Sequence, residues 1–217
     1  MDGYAKELFA KIDHYFNDDW KLNTSYTYAY DNADTEGVIP YGSVDETTNT
    51  GPYWWGSYVS SWSKQSVFDV NLSGTFDAFG RAHELLVGAD YQKVTSRWRA
   101  ARGMVGKGGL INLWDPQSTP LTSDASDHDY WRDYSPNTRE QYGLYSTLRL
   151  QITDPLKLII GARAQRYKYE QAYQTKTDDV WTYESEINHR EPTKVVPYGG
   201  LIYALDDEWS AYASYAE

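Results

Sequence analysis

The chain has 217 residues, no cysteine and a net charge of −11, which excludes a disulfide scaffold and disfavours binding to nucleic acid through its phosphates. No apolar run approaches the roughly 18 residues that a membrane helix needs, so a helical membrane protein is excluded too. Aromatic residues make up 16% of the chain, with 21 Tyr against 5 Phe; Tyr and Trp are the residues that sit where an apolar phase meets water.

Segment 4–16 alternates loosely between apolar and polar residues. Segment 20–30 is cleaner: Trp20, Leu22, Thr24, Tyr26, Tyr28 and Tyr30 interleave with Lys21, Asn23, Ser25, Thr27 and Ala29. In 66–77, Phe68, Val70, Leu72, Gly74 and Phe76 oppose Asp69, Asn71, Ser73, Thr75 and Asp77. Segments 85–91, 142–152 and 156–162 repeat the pattern, and 195–205 with 209–215 form a last pair. A period of two means a strand with one oily and one wet face. The expectation is an all-β, antiparallel transmembrane barrel segment. It has about eight strands in four hairpins, each strand of about 10 residues, the length of a tilted membrane crossing.

The connections come in two kinds that take turns. Short ones carry turn residues: Asn17-Asp18-Asp19, Ala78-Phe79-Gly80-Arg81, Thr153-Asp154-Pro155 and Asp206-Asp207-Glu208. Long ones run over about 31–65, 99–137 and 172–191. Short turns on one side and long loops on the other are the habit of an outer-membrane barrel. Phe16, Trp20, Phe76, Phe79 and Trp209 flank the short turns, and Tyr28, Tyr30, Tyr91, Trp98, Tyr167 and Tyr169 lie toward the long loops, so both girdles of a spanning barrel are expected. A soluble sandwich explains the alternation equally well but the loop asymmetry and girdles poorly. The wet face would hold Lys21, Asp69, Asp77, Glu84, Asp90, Arg149, Lys157 and Arg163. That is a poor dry core and suits a wide hydrated lumen or the surface of an enclosed plug. The oily face would then meet lipid.

At 138–163 the sequence reads TREQYGLYSTLRLQITDPLKLIIGAR: a strand with Tyr-Gly-Leu-Tyr, a turn with Asp-Pro, then Leu-x-Leu-Ile-x-Gly-x-Arg. VPYGGLIY at 196–203 with WSAYASYAE at 209–217 continues it, and ELFA at 7–10 with DWKL at 19–22 precedes it. This resembles the TonB-dependent ferric-siderophore receptors, and is most similar to the branch that takes up hydroxamate and pyoverdine-type siderophores. The resemblance implies a multi-pass β-barrel in the bacterial outer membrane. Its family pattern has an N-terminal plug domain, a TonB-contacting segment and a 22-stranded barrel. Residues 1–217 would then be a middle piece of that barrel, with the plug and terminal strands absent. A free-standing small outer-membrane barrel of structural or adhesive role is the alternative. No N-terminal segment reads as a signal peptide, and nothing points to an enzyme.

The resemblance also implies the partners: a ferric siderophore, outer-membrane lipid and lipopolysaccharide, and the TonB complex through the missing plug. No nucleic acid is among them. No cofactor is implied, because the siderophore itself carries Fe(III). Tyr53, Trp54, Trp55 and Trp62 would form an aromatic wall against a chelate that is bulky and partly apolar, or a loop-packing cluster. Arg97, Trp98, Arg99, Arg102 and Lys107 form a basic spot in an acidic chain. They would attract an anionic chelate, face lipopolysaccharide phosphates, or be simply solvated. Tyr130, Trp131 and Arg132 are a further group of the same kind. The run Asp124 to Asp129, with His128, reads better as an acidic loop than as a metal site. The four histidines lie apart and suggest no triad, and Gly103 to Gly109 is not a phosphate loop.

Overall fold

The computed structural model describes residues 2–101, 111–112, 114 and 130–217. Among them run nine strands and no helix: β1 (Asp2–Tyr15), β2 (Trp20–Tyr41), β3 (Tyr53–Ala78), β4 (Arg81–Ala101), β5 (Tyr130–Gln151), β6 (Leu156–Thr177), β7 (Val180–Arg190), β8 (Lys194–Ala204) and β9 (Ser210–Ala216). They form one antiparallel sheet in the order β1-β2-β3-β4-β5-β6-β8-β9, with β7 also on β6. β8 pairs the lower half of β6, from Leu156 to Gln165, and β7 pairs the upper half, from Lys168 to Thr177. The two therefore occupy one strand position, interrupted at Glu191-Pro192-Thr193. Proline lacks the N–H that a continuing ladder would need.

The short turns form where expected, and the reason is local. Asn17 Oδ1 accepts the backbone N–H of Asp19 (3.0 Å) and of Trp20 (2.8 Å). Asp206 Oδ1 does the same for Glu208 (2.9 Å) and Trp209 (2.7 Å). Between β3 and β4, Phe79 (φ 54°) and Gly80 (φ 72°) make the mirror-image turn whose twist matches two paired strands.

The long loops differ from expectation. β2 and β3 stay paired without a register shift from Trp20↔Gly74 to Tyr41↔Tyr53, and β6 and β7 meet at a tight turn over Asp178 (φ 50°) and Asp179 (φ 63°). At roughly 3.3 Å per residue, the 26 residues of β3 span roughly 85 Å, against about 30 Å of hydrocarbon. Alternation stops before the strand does because period two reports two different solvents. Above the lipid both faces are wet, so Ser57 to Lys64 carries no pattern, while Tyr, Val and Trp within it still favour strand.

Register turns the sheet into rungs. On the oily face one rung runs Leu22, Leu72, Val87, Ser146, Ala162 across β2 to β6. The next above is Thr24, Val70, Ala89, Leu144, Ala164, then Val195 of β8. Above that stand Tyr26, Phe68, Tyr91 and Tyr142, with Arg166 closing the row; the Tyr91 and Tyr142 rings are 4.9 Å apart. This is the upper girdle. Strand parity puts Tyr28 and Tyr30 on its side. Trp98, Tyr167 and Tyr169, by contrast, share the wet face with Gln141 and Gly143, and do not belong to the girdle.

Packing is confined to the two faces of this one sheet. Among the described residues few are buried: Ala100, Ala101, Ile111, Ala172, His83 and Asp133, with Pro52 and Gly143. Leu8, Ile12, Leu144, Val195 and Trp209 are all more than half exposed. A water-soluble domain does not carry so wide an apolar surface; lipid is its solvent. His83 sits near the short turns, where its Nδ1 accepts the Gln151 N–H (3.1 Å) and its Nε2 donates to Ala78 O (2.9 Å). Its role is structural.

Candidate ligand-binding surface

The wet face carries a linked polar ladder through the membrane zone. Lys21 pairs with Asp13 (3.2 Å), Arg149 with Glu84 (3.0 Å), and Arg163 with Asp90 (2.7 and 2.9 Å). Asp69 stands directly opposite Asp90, an unfavourable pairing of like charges. It is relieved because Tyr145 donates its hydroxyl to Asp69 (2.7 Å) while Arg163 takes Asp90. Glycines make room for these side chains. The Tyr145 ring lies on Gly88, the Arg163 guanidinium on Gly143, and the Tyr198 ring on Gly161. Tyr198 ends against Ser146 O (3.3 Å) and Thr147.

Above the girdle level the same face becomes aromatic. The rung Ala33, Ser61, Trp98, Tyr134, Tyr173 brings three rings together. Trp98 and Tyr134 centroids are 5.3 Å apart, and Tyr134 stacks on Tyr173 at 4.5 Å and 25°. Lower on this face Arg139 lies over Tyr169 (5.6 Å), whose hydroxyl donates to Gln171 (2.9 Å). The triad exists because β5 shifts register between Tyr134 and Asn137. The extra residue at Ser135-Pro136 is a bulge, and it turns Tyr134 from the oily parity to the wet one.

The structure divides the sequence-predicted site residues between the two faces. Trp98 stands in the wet-face triad. Tyr53 is on that face by the parity of β3, its ring 5.8 Å from Tyr41. Trp62 and Arg97 face each other in register on the oily-face side, above the girdle. Lys64 lies over Trp62 (5.2 Å), and Arg97 donates to Asp133 (3.0 Å through Nε). Tyr130 is on that side too, with Tyr58 at 6.1 Å and the Arg99 guanidinium 4.3 Å from its ring. Trp131 carries the Arg132 guanidinium at 3.7 Å. Trp54 and Trp55 lie in β3 with side chains outside the described residues, and Arg102, Lys107, the glycine run 103–109 and the acidic run 124–129 lie outside them altogether. Sequence reading did not single out Tyr134, Tyr173 or Arg139, and it placed Tyr169 in the upper girdle. The one signal for the first two was Pro136, marking where parity flips.

Ionisation above the girdle follows contact and burial. The hydrogen bond to Asp133 holds the Arg97 guanidinium above its ordinary range. Burial first, and a hydrogen bond to Asp34 second, push the Tyr58 hydroxyl up. Between β2 and β3, the N–H groups of Thr47 (2.8 Å) and Thr48 (3.2 Å) donate to Asp45 Oδ1 and hold its carboxyl below the usual range. A depressed carboxyl stabilises its fold above the unfolded pKa and loses that contribution as pH falls through the folded one. Amide protection over 43–50, read by hydrogen–deuterium exchange, is therefore expected to hold from neutral pH to about 4 and to fall below it. Asp45→Ala should lower it at neutral pH.

A family model described as TonB dependent receptor-like, beta-barrel, matches residues 3–217. Over 220 residues the chain is 32% identical to the ferric-pyoverdine M114 receptor PbuA of Pseudomonas sp. strain M114, covering 96% of this chain and 25% of that one. It is 29% identical to the ferric-pyoverdine BN7/BN8 receptor of Pseudomonas putida, over 100% of this chain and 26% of that one. The chain thus spans about a quarter of the length of these relatives. Its fold matches the crystal structure of the outer-membrane ferripyoverdine receptor of Pseudomonas aeruginosa, with a TM-score of 0.75 and 23% identity over 98% of this chain and 26% of that one. It also matches the ferric-catecholate import receptor of Escherichia coli K12, with a TM-score of 0.74 and 15% identity over 99% and 35%. The apolar face, the girdle, the polar ladder and the family match agree: the chain belongs to the TonB-dependent receptor β-barrel family.

Proposed function

We propose that this chain is a wall segment of a larger outer-membrane receptor that takes up ferric siderophores with energy delivered through TonB. The observation that carries the reading is the Trp98–Tyr134–Tyr173 triad on the wet face above the girdle, in a chain so similar to ferric-pyoverdine receptors. A ferric chelate is bulky, partly apolar and ringed by oxygen. Flat rings bury its body with little loss of side-chain freedom, and Arg139 answers its negative charge. The chelator supplies the iron ligands, so the wall needs only shape and charge. The proposed contact set keeps Trp98 and Tyr53 and adds Tyr134, Tyr173 and Arg139; Trp62, Arg97 and Tyr130 face the other way. One finding supports a longer barrel: the relatives extend well beyond the match.

The test is ferric-siderophore binding by the full receptor polypeptide that carries this chain, followed by intrinsic fluorescence. Trp98→Ala and Tyr173→Ala are each expected to raise Kd by about thirtyfold, the scale of losing a central aromatic anchor. Trp62→Ala should stay within about twofold of the parent. Equal weakening by all three, or none by the first two, would sink the assignment.

A further inference from the structure

The tip of the β2–β3 hairpin is a small lobe with residues of another connection seated on it. Tyr41 lies fifteen residues beyond Tyr26 of the girdle, roughly 50 Å of strand, so the lobe stands far from lipid. Local backbone chemistry shapes it. Gly42 (φ 120°) and Gly51 (φ 141°) turn the chain at its two ends, and a Cβ at Gly51 would collide with Ser43 O. Asn49 takes the left-handed conformation (φ 55°), which a short polar side chain tolerates. Asp45 closes the turn between them. Its N–H donates to Thr50 O (2.7 Å), and its own carbonyl accepts the Asn49 N–H (2.7 Å). Its carboxylate accepts the N–H groups of Thr47 and Thr48.

Thr50 is thereby shared. It bridges Asp45 on one side and Asn112 on the other, both antiparallel. Ile111, next to Asn112, donates its N–H to Pro52 O (2.6 Å) and is 7% exposed; Pro52 is buried as well. Asn112 Oδ1 in turn accepts the Trp114 N–H (2.9 Å). Ile111, Asn112 and Trp114 lie between β4 and β5 in the chain. Two connections that are far apart in sequence are thus held together by one hydrogen bond, one bridge and one buried apolar side chain, all received by Thr50 to Pro52. That seat depends on the turn behind it. Segments 42–44, 50–52 and 111–112, which surround the turn, contain no charged residue. The groups that hold the Asp45 carboxyl below its usual range are the amides and hydroxyls of Thr47 and Thr48. The other charge of the turn, Glu46, is exposed.

We propose that Asp45 is the acid-sensitive pin of a clasp between two connections: its carboxylate orders Thr50 and Pro52, these hold Ile111 and Asn112 against the β2–β3 hairpin, and protonation of Asp45 releases them. The proposal rests on these contacts and not on the siderophore reading. Hydrogen–deuterium exchange of the full receptor polypeptide, resolved to the Ile111 amide and corrected for intrinsic rates, tests it. Protection at Ile111 should hold from neutral pH to about 4 and be lost below it, as for any carboxylate stabilised in the folded state. Asp45→Ala should lower it at neutral pH by about tenfold, the scale of a lost capping side chain. Asp45→Asn keeps an accepting oxygen and removes the charge. It should retain most of the protection and abolish the loss in acid, which a loop weakened in some general way would not do. Glu46→Gln should leave the parental profile. Thr50→Cys/Asn112→Cys joins two facing positions whose separation suits a disulfide. Oxidised in the Asp45→Ala background, the pair should restore protection at Ile111, and reduction should remove it again. Protection at Ile111 unchanged by Asp45→Ala would overturn the proposal, and so would an equal loss in acid in Asp45→Asn.

Discussion

Leu72→Arg is expected to destabilise the embedded protein by about 2–4 kcal/mol, the cost of a cation on the lipid face near the bilayer midplane. Leu72 lies between Leu22 and Val87 in its rung. It is four residues from Phe68 of the girdle and four from Phe76 near the short turn, which places it mid-membrane. An arginine there cannot reach the wet face, because parity aims it outward. Moving one residue reverses the outcome. Ser73 shares a wet hollow with Lys21, Glu84 and Arg149, so Ser73→Arg gains a carboxylate neighbour in water and should cost no more than about 1 kcal/mol. Equilibrium urea unfolding of the full receptor polypeptide in lipid vesicles measures both. Equal costs at the two positions would mean that the apolar face does not meet lipid.

Gly161→Val should also be severe, and its sign is diagnostic. Valine is a better strand residue than glycine, so local preference alone predicts stabilisation. The structure predicts the reverse. A Cβ at position 161 would stand 2.6 Å from Ser146 O and inside the Tyr198 ring. The ring must leave, giving up its bonds to Ser146 O and Thr147. Overpacking of this kind costs about 1–3 kcal/mol, and the lost hydrogen bonding adds about 1 kcal/mol. Tyr198→Ala removes the ring but not the Ser146 O contact, so Gly161→Val in that background should cost less, by the share that the ring contributes. The difference is a coupling energy that a double-mutant cycle reads directly. A cost unaffected by Tyr198→Ala would refute the ring-on-glycine account.

Much of this protein was legible in order along the chain. Alternation in 66–77 or 142–152 needs only two solvents on two sides of a strand, and the turn chemistry of Asn17, Gly80 and Asp206 is local. Strand identity, the membrane-facing side and the family were therefore visible in the residues themselves. The upper strands were not. Once both faces are wet there is no period to read, and 31–65 looks like a loop although most of it is paired strand. The site followed the same rule. Arg97 and Trp98 are neighbours in sequence, so a basic aromatic spot seemed one feature; parity sends them to opposite faces.

Sequence alone thus determined what each strand segment touches, because hydrophobicity is a property of single residues at a fixed spacing. Tertiary structure decided which residues meet. Asp69 tolerates Asp90 only through Tyr145 and Arg163, contributed from 76 and 73 residues away. The Trp98–Tyr134–Tyr173 triad needs the bulge at Ser135-Pro136 to set one strand's parity against its neighbours. Register is a relation between strands, set by pairing and bulges, and no single stretch of sequence carries it.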